Sequence, residues 1–542
     1  MKYSIVNVAY VYVTLLSAYD IFQIEDELLE ELSQAYDEHN VICAKDEKWA
    51  KLRTLSFHVI AIIILRLFDF VMIPMTLNRD RKECDLMIYV GDRVVSLFPE
   101  CEKDRDIYIE AENLLNQIIV ILNKSLPKKQ REEVISKLKD KADIRDCCYD
   151  QDIIPVNNGL FDFKNKVLET FSPDYVFRNK IRTNYNPLAT NIRIFNPEDG
   201  TDFDIESFMM DLAAGDVELC NCLWEVVGAV VRPNVDWNTS AWLYSEKGNN
   251  GKTTFNQLLR NLLGENNYIS LSLSQMAERF SLEPIIKASA VIGDENDVSE
   301  NKKHIRIEHS APLKTIITKD VLSIDRKYKS YVQIRPRVFV VQNLNSMPSV
   351  SDKSQSYLRR MRMFPMKADF NGAVERKYIK KDYIARPEIL EYCLKRVLHM
   401  DNYEISEPEA CKELKREFQE SNDICATFWR EFREEYAWRL LPFSFLHAHF
   451  LAYSKRIAPA SELMDRDTFV TSLLRVIRDD DMWYCQDRKR QVNVNKTNMS
   501  GPEPLIYEYG LTEWMSKTYK GNDINKICIP VLKKKYAGIE RI

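Results

Sequence analysis

The sequence predicts a multidomain α/β protein: a helical or α+β N-terminal region, a nucleotide-binding core on a parallel sheet, and a separate C-terminal domain. Three observations carry that expectation. An apolar run, a glycine-rich turn and a helical pattern follow one another in WLYSEKGNNGKTTFNQLLRNLLG, Trp242 to Gly264. Two further strand-like segments, SAVIGDEND and RVFVVQNLN, alternate with helical stretches downstream, the pattern of parallel strands covered on both faces. A length of 542 residues also exceeds what one hydrophobic core holds.

Taken in order, Met1 to Ala50 holds ten acids against Lys2, Lys45 and Lys48, so this segment would repel DNA. The first ninety or so residues read as helices with an acidic exposed face. The most apolar stretch, SFHVIAIIILRLFDFVMIPMTL (Ser56 to Leu77), is interrupted by Arg66 and Asp69. It falls short of the roughly 20 apolar residues of a membrane span, so it is expected as a buried core helix, with no membrane partner. Residues 106–141 read as helix again through Ile107, Ala111, Leu114, Leu115, Ile118 and Ile119. In IIPVNNGLFDFKNKVLETF the period changes to two, with turns at Asn-Asn-Gly and Asn165, which predicts a small β-element. Helix returns from Phe208 to Val230, and the D-x-D at Asp202–Asp204 before it reads as a helix cap. The expected domains are 1–85, 86–210, 211–370, a helical lid or linker over 371–425, and 426–542. Twelve scattered cysteines, Cys147–Cys148 and Cys220/Cys222 among them, lack C-x-x-C spacing, and no signal peptide pattern is evident. They read as reduced thiols in a cytoplasmic protein. His447 and His449 have no third ligand nearby and do not read as a metal site.

The turn has the parts of a phosphate cradle: Gly248, Asn249, Asn250 and Gly251 in the loop, Lys252 for the β- and γ-phosphates of ATP, and Thr253 for Mg²⁺. Thr254 is expected to help cap the helix. Glu246 stands where the first glycine of G-x-x-x-x-G-K-[ST] belongs, and Gly248 is expected to supply the flexibility instead. About 40 residues on, Asp294 and Glu295 end a strand, where one carboxylate suits the Mg²⁺ shell and the other an attacking water. The third strand ends in VVQNLNSMP, with Asn345 or Asn343 placed to sense a γ-phosphate. SQSYLRRMRMF then brings Arg359, Arg360 and Arg362 together.

Lys302 to Arg337 carries ten Lys or Arg and three acids. At its centre Arg326-Lys327-Tyr328-Lys329 interleaves cations with an aromatic, which suits phosphates and a stacked base. The net charge of −5 means that nucleic acid must be met by such local patches.

These pieces together resemble superfamily 3 helicases, the AAA+ group of DNA viruses, phages, plasmids and mobile elements. The similarity is greatest to the C-terminal half of phage and plasmid primase-helicases and of the poxvirus-type primase-helicase. The motifs line up in order: Gly248 to Thr254, Asp294–Glu295, a third motif in LKTIITKDVLSIDRKYKS (Leu313 to Ser330), and Asn345 to Pro348. The segments from Ile153 and from Asp211 resemble the domain before the family's helicase core. The arginine finger would fall on Arg359 or Arg360. One departure is Thr318-Lys319-Asp320, where the third motif commonly has glycine before its aspartate. The resemblance implies a hexameric ring that burns ATP with Mg²⁺, grips single-stranded DNA with a hairpin and moves 3′ to 5′.

In the last segment SFLHAHFLAYSKRI and DRDTFVTSLLRVIR read as two helices, and MWYCQDRKRQVNVN as two short strands around Arg488, Lys489 and Arg490. That is the outline of a winged-helix-like, DNA-binding domain, and equally of a helical cap with a basic turn. The expected function is replicative DNA unwinding on forked or origin DNA, in the cytoplasm of a bacterial host for a phage or mobile element, with a separate primase or loader as a further partner. The alternatives are an origin-binding initiator ATPase, a primase-helicase with a diverged primase in the N-terminal 90 residues, and a small-molecule kinase. The acidic N-terminus disfavours the primase, and the basic block disfavours the kinase.

Overall fold

The computed structural model describes Ile21 and residues 24–42, 44–45, 48, 54–77, 79–278, 280–294, 306–307, 311–326, 329–347, 349–350, 355–371, 376–457 and 464–542. They divide into two units, Met1–Lys412 and Glu413–Ile542. The acidic segment contributes helix α1 (Ile24–Ile42). The apolar stretch beyond it is not the single core helix expected. Helix α2 (Phe57–Leu67) starts at Ser56, whose side chain accepts from the Val59 amide, and ends at Phe68, already extended at φ −135°. The chain then enters strand β1 (Phe70–Pro74). Met72 joins the core with the helices, whereas Val71 and Ile73 enter a separate cluster with Met87 and Tyr89. That alternation has period two, and a run that is apolar on both faces hides it.

β1 pairs antiparallel with β2 (Cys84–Tyr89), which pairs antiparallel with β3 (Tyr108–Glu110). Ile107 therefore leads into a strand, and the helical reading of 106–141 holds only for α3 (Glu112–Leu122) and α4 (Lys128–Lys141). A short β4 (Asp143–Ile144) completes the sheet parallel to β1. The boundary expected at residues 85/86 falls inside β2, so one sheet spans both expected segments.

The period-two segment forms the expected meander, β5 (Ile153–Val156), β6 (Gly159–Asp162) and β7 (Val167–Glu169). The helix expected over Phe208–Val230 is two, α5 (Ile205–Leu212) and α6 (Val217–Val231), parted by Ala214 and Gly215 at φ 52° and 83°. Each starts on an aspartate: Asp204 accepts from the Ser207 amide and Asp216 from the Leu219 amide. Asp204 thus caps, as its sequence suggested, and Asp202 pairs with Arg193 at 2.6 Å.

The core follows in chain order as β8 (Ser240–Tyr244), α7 (Lys252–Leu263), β9 (Tyr268–Ile269), β10 (Ala290–Gly293), α8 (Ala311–Thr318), an antiparallel hairpin of β11 (Leu322–Arg326) and β12 (Lys329–Ile334), β13 (Phe339–Leu344) and β14 (Met361–Pro365). Five of these strands make a parallel sheet in the order β9-β10-β13-β8-β14. The chain leaves β8 for the far edge, fills back towards it, and adds β14 on its other side. β8 is therefore the switch point, outside whose carboxyl end open α/β sheets bind ligands. Two helices, α9 (Lys377–Lys381) and α10 (Pro387–Leu398), follow β14, and α10 packs against α6 and α7.

The second unit begins at Glu413 rather than at residue 426. It runs through α11 (Ile424–Phe432), β15 (Leu440–Pro442), α12 (Phe443–Ile457), α13 (Arg466–Val476), β16 (Trp483–Tyr484), β17 (Val492–Asn493), β18 (Lys535–Tyr536) and β19 (Gly538–Arg541). The two expected helices are α12 and α13, the latter capped by Asp465. The strands on either side of Arg488–Arg490 form, but they do not pair with each other. β16 pairs with β19 in a sheet ordered β15-β19-β16, and β17 pairs with β18. The expected basic hairpin is thus replaced by the whole of residues 485–537. His447 contacts the Met464 carbonyl, and His449 is buried against the Tyr436 hydroxyl, where burial pushes its imidazole down to about 3. Among the described residues no helix is long and apolar enough to cross a membrane.

Ile88 is fully buried in the core cluster that holds residues of α2, α3 and α4, whereas Val120 on α3 is 38% exposed. Ile88→Ala is expected to cost about 2–5 kcal/mol, read as a lower denaturant midpoint, and Val120→Ala to move it little.

Candidate nucleotide site

Ser245 to Gly251 links β8 to α7 through two left-handed residues, Asn249 at φ 56° and Gly251 at φ 82°. Asn249 is fastened to the segment after β14: its Nδ2 donates to the Phe370 carbonyl at 2.8 Å, and the Phe370 amide donates back to its carbonyl at 2.9 Å. A Cβ on Gly251 would lie 2.2 Å from Leu212 Cδ2. Gly248 meets nothing within 4 Å, so the steric demand rests on Gly251 alone. Helix α7 begins at Lys252 with Gly251 as its cap, and Thr254 makes no capping bond, contrary to expectation. The first amides of α7 and its dipole therefore face the cleft beyond the loop.

Lys252 is 5% exposed, and its Nζ donates to the Ser245 carbonyl at 3.1 Å. Burial pulls its ammonium down to about 8. A shift of that size corresponds to roughly 3 kcal/mol of desolvation, which an anionic ligand would offset. The cleft is about 420 Å³ and is lined by Asn249 to Thr254, by Phe203, Phe208 and Asp211, and by Phe370, Ile379 and the lysines of α9. Its size is that of a small-molecule site.

Asp294 ends β10, two strands from β8. Its carboxylate accepts from Asn256 Nδ2 at 2.9 Å and pairs with Arg260 at 2.7 Å, and both partners belong to α7. Neither stood out in the sequence. The available signal was two polar residues four apart on the apolar face that carries Lys252. Glu295 lies outside the described residues. Asn345 is exposed just past β13, whose Leu344 carbonyl accepts from the Ser245 amide at 3.1 Å, so it stands at the same end of the sheet as the loop. Asn343 is buried within β13, opposite Leu243. Thr253 is exposed at the start of α7. A hydroxyl and a carboxylate are oxygen donors, the kind Mg²⁺ takes, so Thr253 and Asp294 fit that ion in chemistry.

The arginines lie elsewhere. The Arg360 carbonyl accepts from the Ser240 amide at 2.8 Å, which sets Arg359 and Arg360 at the amino end of β8. The length of β8 separates them from the loop, about 13–17 Å. Arg359 is exposed, Arg360 bonds to Ser356, and Arg362 pairs with Glu407.

On the hairpin, Arg326 is largely buried 3.7 Å from Asp85 of β2, so it anchors the hairpin base. Lys327 and Tyr328 lie outside the described residues, and Lys329 opens β12. Lys319, in the expected glycine position, sits at φ 54°. Its buried Nζ donates to the Val235 carbonyl and lies 3.3 Å from Asp236, and burial pulls it to about 8. In the second unit Arg488 pairs with Asp467 at 2.7 Å, while Lys489 and Arg490 are exposed.

Two family models match the chain. One is described as D5 N terminal like and covers residues 74–204; the other is a family of unknown function, DUF5906, and covers 243–360. Domains of these kinds are typical of phage and plasmid primase-helicase proteins. No curated protein matches. Solved apo structures of the NrS-1 C-terminal region are similar at 13% identity, 81% of this chain, 96% of that chain and a TM-score of 0.40. A second such structure gives 14%, 77%, 92% and 0.42.

Gly251→Ala is expected to weaken binding of a fluorescent ATP analogue by at least about tenfold, through the left-handed strain and the Leu212 clash. Gly248→Ala is expected to leave it within about twofold, since the added methyl enters open space.

Proposed function

We propose that this chain is an ATP-dependent DNA helicase that serves replication of a virus, phage or mobile element and works as a ring on single-stranded DNA. The observation that carries the reading is the division of the parallel sheet. Lys252, Thr253, Asp294 and Asn345 gather at its carboxyl end, and Arg359 and Arg360 stand at its amino end. Within one copy an arginine at that end does not meet a triphosphate on the loop; a neighbouring copy can present it. ATP would then lie between subunits, its phosphates against the amides of Asn249 to Thr254 and the Lys252 ammonium. Phe203, Phe208 and Ile379 offer apolar surface for the base. Mg²⁺, held by Thr253 and Asp294, would neutralise developing phosphate charge. The two matched domain kinds support the same reading. A hexameric ring and 3′ to 5′ movement come from the resemblance, and the grip on DNA is assigned to Lys327, Tyr328 and Lys329, with Arg326 holding the hairpin.

The test is strand displacement on forked DNA with ATP. Lys252→Ala is expected to abolish both ATP hydrolysis and unwinding, at least about a hundredfold. Paired Lys327→Ala and Lys329→Ala is expected to remove unwinding and DNA stimulation; intact unwinding in that variant sinks the hairpin assignment. Hydrolysis without unwinding in the natural chain would favour an initiator instead.

The Lys252 ammonium also sets a pH dependence. Its pKa is lowered to about 8 in the free protein, so it carries its charge below that pH and loses it above. Bound phosphate favours the charged form and raises the pKa again. Calorimetry near pH 8 in buffers of different ionisation enthalpy is therefore expected to show uptake of about half a proton on ATP binding, with affinity falling as pH rises further. Uptake near zero would contradict the buried-lysine account.

A further inference from the structure

We infer that the second unit holds duplex DNA by its phosphates, through a lysine-rich ribbon made by β17 and β18, and not by reading bases with α13. The choice of DNA as the partner rests on the replication reading above; the surface itself does not.

Residues 485–537 carry ten Lys or Arg and five acids, whereas the remainder of the second unit carries eleven and fourteen. Positive charge is thus concentrated in the segment that stands where a short wing was expected. Pairing concentrates it further. Val492 stands opposite Tyr536 and Asn493 opposite Lys535, and the Val494 amide donates to the Lys534 carbonyl at 3.0 Å. Two basic tripeptides more than forty residues apart, Arg488–Arg490 and Lys533–Lys535, are brought to one ribbon. Lys489, Arg490, Lys496, Lys533, Lys534 and Lys535 are all exposed, and none is in an ion pair among the described residues. Of the two acids nearest the ribbon in the chain, Asp487 stays exposed and Glu503 does not. Asp487 accepts from the Lys489 amide at 2.9 Å, and Glu503 is fully buried against the Ala437 and Trp438 amides.

A two-stranded ribbon is an element that the major groove admits, and cations at its two ends suit the phosphates that flank a groove, which a single strand does not offer. Helix α13 is ill suited to base reading, because such helices use their N-terminal residues. Its first turn holds Asp465 as cap and Asp467, the partner of Arg488. Carboxylates there repel the backbone that the helix would have to enter. Contacts confined to phosphates position a duplex without regard to sequence.

The experiment uses the full chain without nucleotide and follows anisotropy of a labelled duplex of about 25 bp from about 50 to 300 mM KCl. The triple variant Lys533→Gln, Lys534→Gln, Lys535→Gln is expected to lower the slope of log Kd against log salt by about 0.9 per lost contact, up to about 2.7. Lys489→Gln with Arg490→Gln, at the other end of the ribbon, is expected to lower it by up to about 1.8. Both drops should be equal on two unrelated sequences, with unchanged melting midpoints. Unchanged slopes in both variants overturn the inference, as does a loss confined to one sequence or to single strands. Loss of binding to anionic vesicles with duplex binding intact also overturns it. Strand displacement by the natural chain separates this claim from the motor: a natural chain that never unwinds DNA but shows the slope changes in these variants keeps the ribbon and discards the helicase.

Discussion

The left-handed turn at Asn249 and Gly251 is the constraint on which the site depends. With φ at 56° and 82°, it aims the first amides of α7 away from the sheet, and only glycine fits where Leu212 closes in. The same turn carries paired hydrogen bonds to Phe370. Three parts of the chain far apart in sequence, α5, the loop and the segment after β14, are thereby fixed relative to one another by a few torsions. The cleft exists because those torsions hold, and Lys252 is desolvated because its ammonium is buried against the Ser245 carbonyl of the same loop.

What was legible in the sequence was local. The β8–loop–α7 unit, the meander at Ile153–Glu169 and the cap at Asp204 each carry their signal within a few residues, as turn chemistry, period or a short polar side chain. What was not legible depended on partners far away. Ser56–Leu77 shows no period because β1 is apolar on both faces, so helix and strand look alike until β2 is beside it. The break at Ala214–Gly215 interrupts a pattern that is apolar throughout. Arg260 and Asn256 acquire meaning only when β10 brings Asp294 beside α7.

Charge behaves in the same way in both units. Arg326 and Arg488, each drawn from a basic run, pair with Asp85 and Asp467, while Lys489 and Arg490 beside Arg488 stay exposed. A basic run is therefore two populations, anchors that set the geometry and cations left for a ligand, and only the fold sorts them. The pairing of β17 with β18 shows the converse, cations separated in sequence that become one surface.

Lys319 shows how a lysine can hold a backbone conformation that favours glycine. Glycine at that position would meet a torsional requirement; here a lysine meets it at φ 54°, held by the Val235 carbonyl and Asp236. The left-handed side chain costs of order 1–2 kcal/mol, and burial of its ammonium, which pulls it down to about 8, adds to that cost. The bend between α8 and the hairpin is then locked to the residues just before β8, so the hairpin's aim is coupled to the sheet by an ionic tether that glycine could not provide. The requirement at this bend is written in backbone angles, which a pattern spelled in amino acids alone would pass over.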